Sequence, residues 1–328
     1  MENKLIPLDE FDLSEEELFS RVDNDSLASE KITAPRYSYW HSVFRVFFKK
    51  KLNIIVLSLL ALVIIFSYVY PQIIGYQPDD LYKYVNVPGA EHLSPSEAMD
   101  LHGFSFSWLL GSGDSGRAIF DAIWYGSGIS ISLALICAVI NLAIGILIGA
   151  IWGFSKKVDI VMTEVYNIVA NVPYILLISV IVLIMSSGFW SMVFALTVTG
   201  WIGIAYFIRT QVIIIRDREY NLASRCLGTP ILRIAFRNIL PFMTSVIVTL
   251  AATEIPSYIS YEVFLSYIGM GMKEMSLGKI IEEAQNSMLV SGQELEFWAP
   301  VTIASIVAVV LYVVGQNLGD ASDPRTHM

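Results

Sequence analysis

Residues 129–152 read ISISLALICAVINLAIGILIGAIW, twenty-four residues without a charged side chain. A helix rises about 1.5 Å per residue, so roughly 20 apolar residues cross the ~30 Å hydrocarbon core of a bilayer. The stretch is therefore predicted to be a transmembrane helix. Gly145, Gly149 and Gly153 recur at intervals of four and share one helix face. Such a face lets another helix approach closely, and we expect packing within this chain rather than a homodimer contact.

The composition of the whole chain is that of a membrane protein. Of 328 residues, 55% are hydrophobic and 16% charged, and the mean hydropathy is +0.60. The net charge of -9 is concentrated in residues 1–30, which hold ten acidic and two basic side chains. We interpret residues 1–35 as an acidic, poorly ordered cytoplasmic tail. The remainder is nearly neutral, which argues against a nucleic-acid partner.

Five further apolar runs have a length compatible with a span, so the sequence predicts an all-α polytopic membrane protein with six transmembrane helices. The third run begins amphipathically, and the fifth contains an acidic residue and a proline. The predicted spans are Leu52–Tyr70, Ile129–Trp152, about Val158–Met185, Phe189–Phe207, about Phe242–Tyr261 and Phe297–Leu318.

The distribution of Lys and Arg predicts the orientation of these spans. With a cytoplasmic N-terminus, seventeen basic residues lie on the inner side and four on the outer side. This bias predicts that both termini are cytoplasmic. The acidic N-terminus does not resemble a secretory signal, so the first run is expected to be an uncleaved anchor. Residues 36–51 are expected to lie along the inner lipid headgroups.

The predicted organisation follows from the spans and their orientation. Two long outer segments are expected to form ordered caps over the outer mouth. The predicted regions are the juxtamembrane segment 36–51, the first helix 52–70, the extracellular segment 71–125, a five-helix core 126–318 containing a cytoplasmic loop 209–241 and an extracellular segment 269–296, and a cytoplasmic C-terminus 319–328.

Between two of the apolar runs, residues 218–228 read REYNLASRCLG. Asp217 is a candidate N-cap, and Glu219 in the first turn is favoured by the helix dipole. Gly228 stands where a left-handed C-cap is expected. The segment is therefore predicted to be a short helix with an apolar stripe formed by Leu222, Ala223, Cys226 and Leu227.

A second helix is predicted to follow directly. Thr229 and Pro230 resemble an N-cap and a first helical residue, and Pro241 is expected to mark a break before the fifth span. Helices this short are marginal alone, so something must cover the apolar stripe. The ends of the chain's own spans, the membrane surface or a groove on a partner protein could do so. The small residues Ala223 and Ser224 favour docking on a protein.

This stretch resembles the EAA loop of ABC importer permeases, whose general form is EAA, three residues, G, nine residues, then I-x-L-P. The upstream Arg218, Glu219 and Tyr220 match the R-E-Y of the peptide and nickel branch. The spacing is preserved, with three departures from the motif: Leu222 in place of Glu, Ser224 in place of Ala and Asn238 in place of Ile.

Three other segments extend the resemblance. Residues 108–126 are similar to the family's LGTDxxGRDxxSRxxYG segment, with Gly113 and Ala118 replacing acids. Residues 260–271 resemble the E-A-x-L-S-F-L-G-L-G run, and residues 315–325 resemble N-x-L-x-D-x-x-D-P-R. Together they make the chain similar to the C-type permease subunit of oligopeptide importers, particularly those of Gram-positive bacteria.

The resemblance implies a type I ABC importer permease fold and a set of partners. It implies a homologous B-type permease, two cytoplasmic ABC ATPases that hold ATP and Mg, and an extracellular lipid-anchored protein that delivers peptide. This chain would contain no cofactor or metal. The residues implied to couple it to an ATPase are Arg218, Glu219, Tyr220, Leu222, Ala223, Ser224, Arg225, Leu227, Gly228 and Pro241.

The sequence contains no Walker A, HExxH, CxxC or GxSxG motif, so an enzyme is not expected. Two alternatives remain open: a permease for a dipeptide or nickel, and a secondary transporter that uses intramembrane acids. Polar residues in or beside the spans are candidates for the translocation path, although most of them could equally form interhelical hydrogen bonds. The candidates are Asn141, Asn167, Asn171, Glu254, Tyr258 and Glu262.

Overall fold

The computed structural model describes residues 39–78 and 89–323. The predicted tail 1–35 and the last residues of the C-terminus lie outside this part of the chain. Residues 1–42 and 43–328 are two separate units. Of the first unit only residues 39–42 are described, as the opening turn of helix α1 (Tyr39–Lys49).

The described residues of the second unit are organised around long apolar helices. Five helical segments are long and apolar enough to cross a membrane, and a bent helix pair makes a sixth if it counts as one span. The helices are α2 (Lys51–Tyr68), α3 (Tyr70–Ile73), α4 (Pro95–His102), α5 (Ile119–Phe154), α6 (Lys156–Ala170), α7 (Tyr174–Ile184), α8 (Phe189–Thr197), α9 (Trp201–Arg216), α10 (Glu219–Cys226), α11 (Ile231–Ile234), α12 (Thr244–Tyr267), α13 (Leu277–Glu283) and α14 (Glu294–Ala321).

The third predicted span is not a straight helix. Helices α6 and α7 meet at an angle of 81° across residues 171–173. Pro173 lacks an N–H and disfavours helical geometry at the residue before it, which accounts for the break. Helix α6 buries none of its side chains within this chain, in keeping with its amphipathic sequence.

The described helices run past some of the predicted span boundaries. The fourth span was expected to end at Phe207, but α9 continues to Arg216. The predicted break at Pro241 is absent, because helical backbone continues from α11 into α12 through a π-helix (Ala235–Ile239) and a 3₁₀ turn (Leu240–Met243). The π-helix widens the turn immediately before the proline, where an α-helical hydrogen bond would be lost.

The glycine face of α5 packs against α9 within the chain. A Cβ atom at Gly149 would lie 2.5 Å from the carbonyl oxygen of Ala205, and Gly145 and Gly153 approach Ile204 and Val212 equally closely. Only residues without a Cβ permit this approach. Helices α5 and α9 consequently form the most extensive helix contact among the described residues.

The two segments predicted to be extracellular contain short helices. The first contains α4, whose Ser94 and Glu97 form a capping box, and a 3₁₀ turn (Phe106–Leu110). The second contains α13 and a 3₁₀ turn (Ala284–Leu289). His92 links the first segment to α14, because its Nδ1 lies 2.7 Å from Oε1 of Glu296.

Candidate functional site

The segment 218–228 forms a short helix with a glycine turn. Helix α10 spans Glu219–Cys226, and Gly228 has a φ of +79°, in the left-handed region that glycine adopts without strain. Thr229 N–H donates to the Ser224 carbonyl at 3.1 Å and closes the turn. The expected N-cap, Asp217, instead ends α9, and Arg218 precedes α10 without a side-chain capping bond. The prediction that Asp217 is the N-cap of α10 is therefore wrong.

The apolar stripe of α10 is uncovered. Leu227 is 86% exposed and Leu222 is 43% exposed, and the Cys226 thiol is also at the surface. Ala223 and Arg225 are exposed as well. No described residue of this chain covers the stripe, so the option that the chain's own spans cover it is excluded for this part of the molecule.

Asn221, on the opposite side of α10, is fully buried and anchors the helix. Its Nδ2 donates to the Ile215 carbonyl at the end of α9, at 3.0 Å, and its Oδ1 accepts from Asn238 at 3.3 Å. Asn238 also approaches the Ser224 hydroxyl at 3.5 Å. Two of the three departures from the motif, Ser224 and Asn238, therefore contact each other.

Sequence reasoning missed Asn221, because a polar residue between apolar ones on a short helix normally faces water. The one available signal was the pair of departures from the motif, which replace two apolar residues by a hydroxyl and an amide. Such groups require partners when they are buried.

Two arginines next to α10 add contacts to the neighbouring spans. Arg218 lies over the ring of Phe242, 5.1 Å from its centroid, a cation–π geometry. Arg216 donates through Nη1 to the Gly153 carbonyl at 2.6 Å. Arg218 thus connects the start of α10 to the segment leading into α12, and Arg216 connects the end of α9 to the end of α5.

A second cluster connects α9 to α6. Asp159 on α6 accepts from Arg209 on α9 and from Trp152 Nε1 on α5, the latter at 2.9 Å. The Tyr166 and Tyr206 rings stack with centroids 4.1 Å apart and an interplanar angle of 7°. A displacement of α9 would therefore be transmitted to α6.

Tyr166 also borders a cavity of about 410 Å³ between the spans. Its walls are the α6–α7 bend, the break between α8 and α9, and the middle of α12. The lining residues are Tyr166, Val169, Ala170, Val172, Pro173, Tyr174, Leu177, Thr199, Gly200, Ile202, Gly203, Ile204, Glu254, Tyr258 and Tyr261.

Of the six path candidates, the cavity holds Glu254 and Tyr258, and Asn141 lies behind it. Asn141 Nδ2 donates to the Tyr258 hydroxyl at 2.6 Å. Asn167 and Asn171 do not line the cavity. They lie exposed beside the bend, where the Asn171 Nδ2 donates to the Asn167 carbonyl at 2.6 Å.

Glu262 is also excluded from the path in this structure, because its side chain is fully buried inside the chain. Its carboxylate accepts hydrogen bonds from the hydroxyls of Ser130, Ser276 and Ser266 at 2.9, 2.5 and 3.1 Å. The Gly278 N–H donates a further bond. The group connects α5, α12 and α13, and it leaves the carboxylate no room for a ligand.

Comparison with known proteins identifies the family. A model described as binding-protein-dependent transport system inner membrane component matches residues 145–328, and one described as the N-terminal transmembrane domain of oligopeptide transport permease C matches residues 38–95. The chain belongs to this family of transport-system membrane components. It is a multi-pass membrane protein and not an enzyme, and the predicted all-α polytopic fold is confirmed.

Two relatives extend over nearly the whole chain, and a third covers about two thirds of it. Oligopeptide transport system permease protein AmiD of Streptococcus pneumoniae is 45% identical over 315 residues, which cover 95% of this chain and 98% of the relative. Oligopeptide transport system permease protein OppC of Bacillus subtilis is 32% identical over 301 residues, covering 90% and 93%. Dipeptide transport system permease protein DppC of Bacillus subtilis is 32% identical over 218 residues, covering 66% and 68%. The expected resemblance to a C-type permease is confirmed.

Proposed function

We propose that this chain is a permease subunit of an ATP-driven importer of oligopeptides. It would form half of the translocation path with a homologous B-type permease and receive peptide from an extracellular lipid-anchored binding protein. Two cytoplasmic ATPases would bind ATP and Mg and supply the energy. The names of the relatives support a peptide substrate, and AmiD, at 45% identity, favours an oligopeptide over the dipeptide alternative.

The observation that carries the proposal is that α10 is anchored on one side and uncovered on the other. Asn221 fixes the helix to α9, whereas the stripe containing Leu222 and Leu227 is exposed. Exposed apolar surface of this kind, next to charged side chains, is typical of an interaction site. An ATPase groove that accepts a short helix would cover it.

The contacts around α10 support a route from the ATPases to the cavity. A displacement of α10 would move α9 through Asn221, and α9 is tied to α6 by the Arg209–Asp159 ion pair and by stacking of Tyr206 on Tyr166. Tyr166 borders the cavity. Closure of the ATPases on ATP would thus alter the wall of the cavity through packed elements.

The orientation is part of the proposal. The excess of basic residues on one side predicts cytoplasmic termini, a cytoplasmic loop 209–241, and segments 71–125 and 269–296 outside the cell. This orientation would present α10 to the ATPases and the segments containing α4 and α13 to the binding protein.

A secondary transporter is the second candidate, and Glu254 is the observation that favours it. This intramembrane acid forms no salt bridge among the described residues. A proton or ion gradient could act on it. Uptake in proteoliposomes separates the two: the importer needs internal ATP and ignores an ionophore, whereas a secondary transporter needs the gradient and ignores ATP.

The coupling step is tested by two substitutions of Gly228. Gly228→Val places a β-branched residue at a φ of +79°, whereas Gly228→Asn keeps a residue that tolerates this conformation. No atom lies within 4 Å of an added Cβ, so crowding within this chain does not complicate the result. In proteoliposomes with the complete importer, we expect Val to reduce ATP-driven uptake about tenfold or more and Asn to retain most of it.

Glu219→Ala is the companion variant. It removes a first-turn acid from the exposed end of α10 and should lower uptake and ATPase copurification, while membrane insertion stays normal. Normal uptake in both Gly228→Val and Glu219→Ala would refute the assigned role of α10.

A further inference from the structure

The cavity between the spans is lined by one carboxylate, Glu254, and by several tyrosines. We infer that Glu254 and the tyrosines around it bind a primary ammonium group of the transported peptide, either its N-terminus or a lysine side chain. The inference rests on the proposed function, because it assigns a ligand chemistry to the path of a peptide permease.

Glu254 is the single charged residue among those that line the cavity. Its side-chain partner is the Tyr258 hydroxyl. That hydroxyl accepts a hydrogen bond from Asn141 at 2.6 Å, so its own hydrogen is free to point toward the carboxylate. A carboxylate accepts about four hydrogen bonds, so this arrangement leaves most of its acceptor capacity open toward the cavity.

Three neighbouring tyrosines line the cavity together with Glu254. The Tyr174 and Tyr261 centroids are 5.1 Å apart, and Tyr258 lies 6.3 Å from Tyr261. The Tyr174 hydroxyl is bound to the Leu196 carbonyl at 2.8 Å, which fixes that ring. Ring faces attract cations, most strongly where water is excluded.

The position of Glu254 within the membrane favours the binding of a cation. Glu254 is the eleventh of the 24 residues of α12, close to the middle of that helix. An unpaired carboxylate near the middle of a bilayer is expensive, and a cationic ligand would offset that cost. Thr199, at the break between α8 and α9, also lines the cavity.

The donor set favours ammonium over a metal ion. Among the described residues no group of three or more His, Cys, Asp or Glu side chains could hold a metal. One carboxylate with three tyrosines matches a compact organic cation, which takes one ion pair and several ring contacts. Peptide backbones of any sequence carry the N-terminal ammonium, so recognition of this group is compatible with varied side chains.

The test uses the complete importer in proteoliposomes with internal ATP and three probe peptides of equal length. One has a free N-terminus and no lysine, one is its N-acetylated form, and one is N-acetylated and contains a lysine. Each peptide is added at a concentration that saturates the binding protein, measured separately. We expect wild type to import the free-amine peptide faster than the acetylated one without lysine.

Glu254→Gln keeps the shape of the side chain and removes its charge. It should reduce the preference for the free amine roughly tenfold to a hundredfold, the range expected for one hydrogen bond to a charged group. Tyr261→Leu, which removes a ring and leaves the charge, should weaken the preference several-fold. The matched control Glu274→Gln removes the same charge at an exposed position outside the cavity and should leave the preference unchanged.

The outcomes are distinguishable. If the acetylated lysine peptide regains fast import, the site accepts any primary ammonium; if it does not, the site reads the N-terminus, and both results support the inference. ATP-driven import by Glu254→Gln with the preference intact would overturn the inference and leave the proposed function standing. Wild type that imports no peptide with ATP would overturn the proposed function itself.

Discussion

Helix α12 holds two glutamates in opposite situations. Glu262 is fully buried, and three serine hydroxyls and one backbone N–H satisfy its carboxylate. Glu254, two turns earlier, faces a cavity of about 410 Å³ and has one side-chain partner, Tyr258. Both residues were candidates for the translocation path. The carboxylate of Glu262 has its hydrogen-bond partners within the chain, whereas that of Glu254 has acceptor capacity left for a ligand.

The difference shows how an intramembrane acid should be interpreted. Such residues are expensive and usually functional, but a carboxylate that is saturated by its own chain acts as a structural link. A carboxylate with open acceptor sites beside a cavity is the better candidate for ligand binding. Stability measurements separate the two roles, because only the saturated group should be needed for the fold.

The largest expected effect is that of Glu262→Ala. The substitution would leave three buried serine hydroxyls without their acceptor, at a cost of roughly 1–3 kcal/mol for each unsatisfied group. We expect a loss of at least about 3 kcal/mol, seen as a lower unfolding temperature of the purified protein in detergent. Glu254→Ala is the matched control and should lose less than about 1 kcal/mol, since few contacts are removed. Equal losses of stability in the two variants would contradict the assignment of Glu262 as a structural link and Glu254 as a ligand-binding residue.

The same contrast can be tested with two asparagines. Asn221 is buried and bonded at both ends of its amide, whereas Asn167 is exposed. Asn221→Ala should destabilise the protein by about 1–3 kcal/mol and increase proteolysis around α10, because the bonds of the amide to the Ile215 carbonyl and to Asn238 are lost. Asn167→Ala should change stability by less than about 0.5 kcal/mol. Similar protease sensitivity in both would show that the amide does not anchor α10.

A double-mutant cycle tests whether the two departures from the motif compensate each other. Ser224→Ala and Asn238→Ile restore the residues of the resembled motif. Because the two side chains approach at 3.5 Å and Asn238 also donates to Asn221, we expect an interaction free energy of about 0.5–1 kcal/mol between Ser224 and Asn238 in thermal unfolding. Strictly additive losses would mean that the residues act independently.

Substitution of His92 has the smallest expected effect on stability, and this effect depends on pH. Burial lowers its pKa, but hydrogen bonds and charge from Glu296 and Asp114 outweigh burial and raise the pKa above the ordinary 6.5. The folded state therefore binds the proton more tightly than the unfolded state. The added stability is fully present below about pH 6.5 and is lost as the pH rises through the raised pKa.

The measurement compares wild type with His92→Gln in thermal unfolding from pH 5.5 to pH 8. Wild type should gain about 1 kcal/mol or less at the acidic end relative to the variant. Glu262 is present in both proteins, so its contribution cancels in this comparison. A wild type that gains stability relative to the variant as the pH rises would contradict the assignment.

The sequence predicted much of this fold, because hydropathy and small-residue periodicity report local geometry. The span in 129–152, the packing face of Gly145, Gly149 and Gly153, and the left-handed turn at Gly228 all follow from local patterns. The 81° bend at Pro173 was missed, since the apolar content of 158–185 matches that of a straight span.

Long-range polar pairing is the part that could not be predicted. Glu262 meets Ser130 across 132 positions of sequence, and Asn141 meets Tyr258 across 117. A single sequence indicates that such groups need partners but not which partners they have. The different situations of Glu254 and Glu262, and the anchoring role of Asn221, could therefore be recognised only from the structure.

The most direct test of the central claim, that α10 docks on an ATPase, uses a native residue. The chain has two cysteines, and Cys226 on α10 is exposed while Cys137 is buried. A thiol-to-amine crosslinker applied to the assembled importer should join this chain to an ATPase subunit, and Cys226→Ser should abolish the product. Maleimide labelling of Cys226 in the assembled importer, with no crosslink to an ATPase, would contradict the account.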